Sequence, residues 1–277
     1  MTATPIHEGL RLFAEVVERH DLAPEHPSHI QLSLAAPSIA ERARPGQFVH
    51  VLPPSVKLIL RRPFSLLSTD PARGLIAILF RVVGEGTRLL AASGAGDSLD
   101  IIGPLGNGFP IGRAGPALIV GGGVGIPPLV FLTESLLLQR GSPADVRVHL
   151  GAKDRAALIC TDEFRALGIE PILATEDGSA GLQGLVTDAL PGPKESMPPK
   201  TVIYACGPIG MLKAVARWAS DRALTCYVSL ENKLACGIGA CLGCSIPVRS
   251  DDRSIRYERV CCDGPVFEAG RVAFDLM

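Results

Sequence analysis

The chain lacks a charge of either sign in excess: 27 Lys and Arg stand against 28 Asp and Glu, a formal net charge of −1. Phosphate neutralisation needs a basic face or stripe, so this balance excludes a nucleic-acid partner. It also lacks a membrane span. Residues 114–133 carry no charge over twenty positions, the right length to cross a bilayer, but eight of the twenty are Gly or Pro. Those breakers fit a buried strand, a glycine turn and a helix start, not one continuous helix. The N-terminal stretch MTATPIHEGLRLFAEVVERH has charges throughout and no apolar core, so no targeting signal is expected and the location is read as cytoplasmic. Internal repeats are missing too. Eight cysteines in 277 residues are too few for a disulfide scaffold. What is present is 47% hydrophobic and 20% charged residues, which excludes disorder and lets roughly three quarters of the unfolded surface be buried.

Residues 1–112 read as short strands. Segments 10–17, 30–35 and 47–52 alternate apolar and polar residues, and 58–61, 75–83 and 98–102 continue the series between Pro and Gly breaks. This spacing predicts a small antiparallel β-barrel. From residue 113 to 226 the texture changes to strands alternating with helices. Strands are expected at 117–120, 146–150, 170–175, 186–190 and 202–206, and helices at 128–140, 162–167 and 211–224. That order predicts an α/β domain with a doubly wound parallel sheet. The proline-rich stretch 191–199 is a flexible connection in this reading. Residues 227–277 are expected to form a cysteine- and glycine-rich segment with little regular structure.

The strongest chemical signal lies there. Cys236, Cys241 and Cys244 follow C-x4-C-x2-C, with Cys261 and Cys262 further on. This is the plant-type spacing of a [2Fe–2S] cluster, and only one of the last two cysteines is needed. Gly237, Gly239 and Gly243 let the backbone wrap closely around an inorganic core. Structural zinc is the competing reading, although zinc prefers C-x2-C pairs or mixed His ligands, and no histidine follows His149. Cys160, Cys206 and Cys226 sit in regular elements and read as small core residues.

Two loops point to dinucleotides. Arg62-Pro63-Phe64-Ser65 offers a cation, an aromatic ring and a hydroxyl where one barrel strand ends and the next begins. Leu79-Phe80-Arg81 runs into a glycine turn at Gly84 and Gly86, where Thr87 can cap a short helix. Gly121-Gly122-Gly123-Val124-Gly125 follows a buried strand directly, the context of a phosphate-binding loop, though without the G-x-G-x-x-G spacing; a ligand-free tight turn has the same look. Cys206-Gly207-Pro208 ends another strand at the edge where open α/β sheets bind ligands.

In this order, R-P-F-S, GGGVG-x-PP, CGP-x-x-M and a C-terminal cysteine set resemble the ferredoxin-reductase superfamily. Within it, ENKLACGIGACLGCSIPV (231–248) and RVCCDGPVF (259–267) resemble the electron transfer subunits of type B, NAD-dependent dihydroorotate dehydrogenase. The resemblance implies an FAD domain over 1–112, an NAD domain over 113–226 and a cluster segment over 227–277. It implies FAD held by Arg62, Pro63, Phe64, Ser65, Leu79, Phe80, Arg81, Gly86 and Thr87, with Ser65 near the flavin N5. NAD⁺ would dock on Gly121, Gly122, Gly123, Gly125, Cys206, Gly207 and Pro208. Cys236, Cys241, Cys244 and Cys261 would ligate the cluster, Cys262 taking the variable position of V-C-x-D-G-P. The implied activity belongs to pyrimidine (UMP) biosynthesis: dihydroorotate is oxidised at FMN on a separate catalytic subunit, and electrons pass through the cluster and FAD to NAD⁺ in a complex of two copies of each subunit. No residue of this chain would act on dihydroorotate itself. Two alternatives remain: a reductase subunit of the sulfide dehydrogenase or ferredoxin–NADP reductase type, and a zinc-binding interaction module. Lys153 and Arg155 are placed to meet a 2′-phosphate if the acceptor is NADP.

Overall fold

The computed structural model describes residues 10–22, 29–112, 115–192, 195, 197–252 and 254–277. Residues 1–9, the proline break at 23–28 and positions 193, 194 and 196 of the proline-rich loop lie outside the described residues. The chain divides into two compact units. One comprises Met1–Gly108, Asn232–Ser245 and Glu258–Pro265; the other comprises Phe109–Glu231, Ile246–Tyr257 and Val266–Met277. The stretch from 227 onward is thereby shared out between them.

The first unit is a closed six-stranded antiparallel barrel, as the alternation predicts. Its elements are β1 (Leu10–Asp21), β2 (His29–Ala35), helix α1 (Pro37–Ala40), β3 (Phe48–Val51), β4 (Arg62–Asp70), β5 (Leu75–Arg81), helix α2 (Glu85–Ala91) and β6 (Ser98–Leu105). The strand order is β1-β2-β5-β4-β3-β6, so no strand edge is left open. Val16, Ile30, Leu32, Leu34, Val51, Leu66, Ile78 and Ile101 fill the interior. One strand is displaced from expectation. The fourth runs over Arg62–Asp70, and 58–61 is an irregular loop in which Ile59 is 85% exposed. The β3–β4 ladder ends at Val51↔Arg62, because β3 runs into Pro53 and Pro54, which cannot donate to a ladder.

The second unit holds β7 (Ala117–Gly122), α3 (Pro127–Arg140), β8 (Val146–Ala152), α4 (Thr161–Ala166), β9 (Ile172–Thr175), β10 (Leu182–Gln183), β11 (Val202–Cys206), α5 (Ile209–Ser220), β12 (Thr225–Ser229), the hairpin strands β13 (Ser245–Arg249) and β14 (Ile255–Arg259), and β15 (Val266–Glu268). The hairpin ends, Ser245 and residues 258–259, count with the barrel. The large sheet has the order β10-β9-β8-β7-β11-β12-β15, parallel except for β15. Every residue of β7 and β11 is buried, which is why both read as unbroken apolar runs. Helix α5 turns Leu212, Val215 and Ala219 inward at helical spacing. Gly141, at φ 76°, ends α3 in the left-handed cap that glycine takes without strain.

Two further expectations are corrected here. Residues 186–190 form a one-turn 3-10 helix over Val186–Ala189 and not a strand. The Asp188 carboxylate accepts from the Leu185 amide at 2.8 Å and closes the turn, while Val186 packs so tightly on Gly151 that a Cβ there would lie 2.7 Å away. The last fifty residues also hold more regular structure than their composition suggests. Ile246, Pro247 and Val248 of β13 are all buried, a core strand hidden in the sequence by the surrounding Gly and Cys.

Candidate functional site

In the barrel, the expected dinucleotide residues lie on β4, on β5 and in the first turn of α2. Phe64 and Phe80 are buried with ring centroids 4.9 Å apart, and Leu79 is buried beside them. Pro63 and Arg81 are exposed, and Arg62 and Ser65 half-buried. The two neighbouring arginines divide their work. Arg61 is spent on structure: its guanidinium donates to the Asp100 carboxylate at 2.7 Å and to the Asp100 carbonyl at 2.8 Å. Burial alone would raise the Asp100 carboxyl, but Arg11 and Arg61 hold it below the usual carboxylate range. Arg62 instead lies across Gly86, where a Cβ would sit 3.0 Å from its Nε. Gly86 is thus glycine because the guanidinium comes down onto the backbone. The Thr87 hydroxyl accepts from the amides of Val83 and Gly84 at 2.9 and 3.0 Å and donates to the Gly84 carbonyl. Its side chain is used up in shaping the turn. The first-turn amides of α2 have no intrahelical acceptor, and the Arg62 guanidinium approaches that turn at Gly86, a donor set suited to a pyrophosphate.

The cysteine loop belongs to the same unit. Cys241 is exposed, Cys236 half-buried, and Cys244 and Cys261 buried. The thiols meet in two groups, Cys236 with Cys241, and Cys261 with both Cys244 and Cys262. Among the described residues, no three His, Cys, Asp or Glu side chains converge as on a single ion. Two separate thiol groups suit a core with two metal centres, whereas structural zinc asks for four ligands on one. Amides point at the sulfurs: Gly239 donates to Cys261 Sγ at 3.2 Å and Cys261 to Cys244 Sγ at 3.4 Å. Burial pushes the Cys236 thiol up, but the Ile238 amide, the Cys241 thiol and the amides of Cys241 and Ala240 together bring it down to about 7. Burial and the Cys244 thiol push Cys261 well up, as expected of thiols crowded together with no cation between them. Gly237 and Gly239 take φ of 73° and 84°, and a Cβ on Gly239 would lie 2.9 Å from Cys262 Sγ. The donor set and its amides therefore fit an iron–sulfur cluster.

In the sheet unit, the strand order reverses between the parallel strands β7 and β11, and the loops that follow these two strands lie side by side. A Cβ on Gly125 would lie 2.5 Å from the Gly207 nitrogen, and one on Gly122 would lie 2.7 Å from Met211 Sδ. Gly122, Gly125 and Gly207 are therefore needed for the two loops to touch each other, whereas Gly121 packs against Leu129, Ile126 and Leu150. Only Gly123 of the run, at φ 52°, has open space where a side chain would be. Pro127 and Pro128 begin α3 without N–H groups, and the amides of Ile126 and Leu129 are engaged at 3.1 and 3.0 Å. An anion at this loop must be held by the Gly123–Gly125 turn and not by the helix end. Cys206 is buried, its thiol pushed up by burial and by the charge of Glu231.

A family model for the iron–sulfur cluster binding domain of dihydroorotate dehydrogenase B matches residues 231–273, and an oxidoreductase NAD-binding domain matches residues 119–217. The dihydroorotate dehydrogenase B (NAD(+)) electron transfer subunit of Bacillus caldolyticus is 43% identical over 247 residues, covering 87% of this chain and 91% of its own. That of Enterococcus faecalis is 40% identical over 264 residues, covering 93% and 96%. The chain belongs to this family. As a dihydroorotate dehydrogenase B electron transfer subunit it is part of an oxidoreductase, and the family name implies a catalytic partner. A solved NADH-dependent reduced ferredoxin–NADP oxidoreductase superposes with a TM-score of 0.82 at 32% identity, over 99% of this chain and 92% of that one. The ferredoxin reductase of carbazole 1,9a-dioxygenase, at 20% identity and a TM-score of 0.66 over 79% of this chain and 68% of that one, shares the fold. No helix among the described residues is long and apolar enough to cross a membrane.

Several residues around the cysteines escaped the sequence reading. Arg259 donates to the Gly239 carbonyl at 2.8 Å while gripping the Asp263 carboxylate at 3.0 Å. Asn107 donates through Nδ2 to the carbonyls of Cys262 and Asp263 at 3.1 and 3.0 Å. The first pair was visible as opposite charges four apart around the Cys-Cys step; Asn107, 155 residues away from Cys262, left no local signal. His50, wholly buried, was passed over as the polar member of an alternating strand. Its ring is held neutral, with a pKa near 4, by burial and then by Arg61. The carbonyls of Cys236 and Arg61 pull the other way without either completing a hydrogen bond.

Proposed function

We propose that this chain relays electrons from an FMN-bearing dihydroorotate dehydrogenase subunit to NAD⁺ through a [2Fe–2S] cluster and FAD, in a cytoplasmic complex with two copies of each subunit. The observation that carries the reading is that Cys261 joins the Cys236, Cys241 and Cys244 loop with amides aimed at the sulfurs, in a chain of this family. Cys236, Cys241, Cys244 and Cys261 are its cluster ligands. Arg62 and the amides of Gly86 and Thr87 hold the FAD pyrophosphate; Pro63, Phe64, Leu79, Phe80 and Arg81 line the ring, and Ser65 faces its polar edge. Gly121, Gly122, Gly123, Gly125, Cys206, Gly207 and Pro208 shape the NAD⁺ crevice at the point where the strand order reverses. When bound, the cluster would supply one-electron transfer and FAD the conversion between one-electron and two-electron transfer. The protein's own part is to fix the distances and to exclude water.

The first test is a visible spectrum of the purified chain. Flavin bands near ~450 nm with broad absorbance beyond ~500 nm are expected for flavin plus cluster; a colourless protein with one zinc overturns the reading. The second is turnover of the reconstituted pair. NAD⁺ reduction driven by dihydroorotate supports it, whereas reduction only with another donor, such as sulfide or reduced ferredoxin, overturns the substrate. Comparing NAD⁺ with NADP⁺ tests whether Lys153 and Arg155 meet a 2′-phosphate.

A further inference from the structure

His50 is a buried polar side chain that neither the barrel core nor the proposed FAD contacts explain. It is 0% exposed, and both ring nitrogens lack a hydrogen-bond partner. Leaving such a group unpaired is costly, a penalty that valine or leucine in the same strand would avoid. The ring is pressed against the cysteine loop: a Cβ on Gly237 would collide with His50 Nδ1, and Gly237 follows Cys236 directly. The strand behind it cannot yield. His50 pairs with Pro63 on β4 and Ile102 on β6, and its carbonyl takes a long 3.4 Å contact from Arg61, itself locked onto Asp100. The charged groups acting on the ring, Arg61 and Arg62, are both cationic. The imidazole keeps an N–H to donate in either protonation state.

Given that the loop holds a [2Fe–2S] cluster, we propose that His50 is its positioning residue: the ring fixes the turn at Gly237 and presents an N–H toward the loop, favouring the more negative, reduced cluster. Hydrogen bonds around cluster sulfurs tune reduction potentials in this sense, and one to a charged acceptor shifts an equilibrium by about tenfold. The experiment is an EPR-monitored dithionite titration of the full chain with its cofactors, with iron and sulfide assayed in parallel. In His50→Leu, full iron content with a cluster about tenfold harder to reduce is expected, a shift of about 59 mV to lower potential for one electron. His50→Asn, which returns a donor near Nδ1, should recover most of that shift. An unchanged potential in a fully loaded His50→Leu overturns the proposal. If His50→Leu does not fold, His50→Asn and His50→Gln decide, since they place the amide at different depths: unequal potentials support the proposal and equal ones overturn it. A wild-type chain that binds no iron and sulfide overturns the cluster reading itself.

Discussion

The eight cysteines form two populations that differ in everything but their chemistry. Cys206 and Cys226 are buried on β11 and β12, while Cys160, expected in a regular element, is buried in the left-handed bend before α4; burial pushes all three thiols up, Cys226 to about 12. Cys236 lies among backbone amides freed by positive-φ glycines, and its thiol falls to about 7. The difference teaches that reactivity comes from the local backbone: a strand consumes its amides in the ladder, whereas an irregular loop can aim them at sulfur. Burial in a strand keeps the Cys206 and Cys226 thiols protonated, whereas amides around a half-buried sulfur bring the Cys236 thiol down.

The sharpest way to break that comparison is Cys236→Ser or Cys244→Ser, expected to lower iron and acid-labile sulfide at least tenfold. Limited proteolysis should then cut the 232–245 loop, because metal binding supplies its folding free energy. Cys226→Ser should keep full iron content. The next largest effect is Arg259→Ala, which frees the Gly239 carbonyl and Asp263 together. Loss of a supporting contact of this kind typically weakens metal affinity about 10–100-fold, read as faster bleaching under a chelator. A smaller effect is expected for Cys261→Ala, because Cys262 Sγ lies against the same Gly239. The single variant should retain part of its iron and the double variant with Cys262→Ala none. The comparison sharpens further in the cluster-free chain. Alkylation of Cys236 should rise as pH passes through about 7, since the thiolate is the nucleophile, while Cys206 and Cys226 stay unlabelled until the fold opens, as mass mapping of labelled peptides would show. The smallest expected change is Cys226→Ala, a loss of stability of about 1 kcal/mol in denaturant unfolding.

Much of this was legible in the sequence because it was local. Alternation in 30–35 and 75–81 follows from one barrel face being wet and the other dry, and the C-x4-C-x2-C spacing is a local wrapping rule. What stayed hidden depends on partners far along the chain. Gly122 and Gly125 read as a phosphate loop, yet their lack of side chains is required by Met211 and Gly207, which no window of sequence brings together. Residues 58–61 looked like a strand because Leu58, Ile59 and Leu60 are apolar; their partner strand is stopped by two prolines instead. His50 was hidden by its own pattern, since a histidine between two valines is the normal outer face of a strand until the outer face is covered.

The barrel unit is completed by two pieces, Asn232–Ser245 and Glu258–Pro265, that are synthesised only after the whole nucleotide unit. Asn107 has thus left the ribosome long before the carbonyls of Cys262 and Asp263 that it holds have been made. Domains generally fold in the order of synthesis, so the barrel emerges with its cysteine wall missing, while the sheet can assemble from β7 to β12 as it appears. Cluster delivery is consequently the last event in making this protein. A chain stalled anywhere before Cys261 is one from which assembly factors should be unable to make a stable product, however complete its two dinucleotide folds.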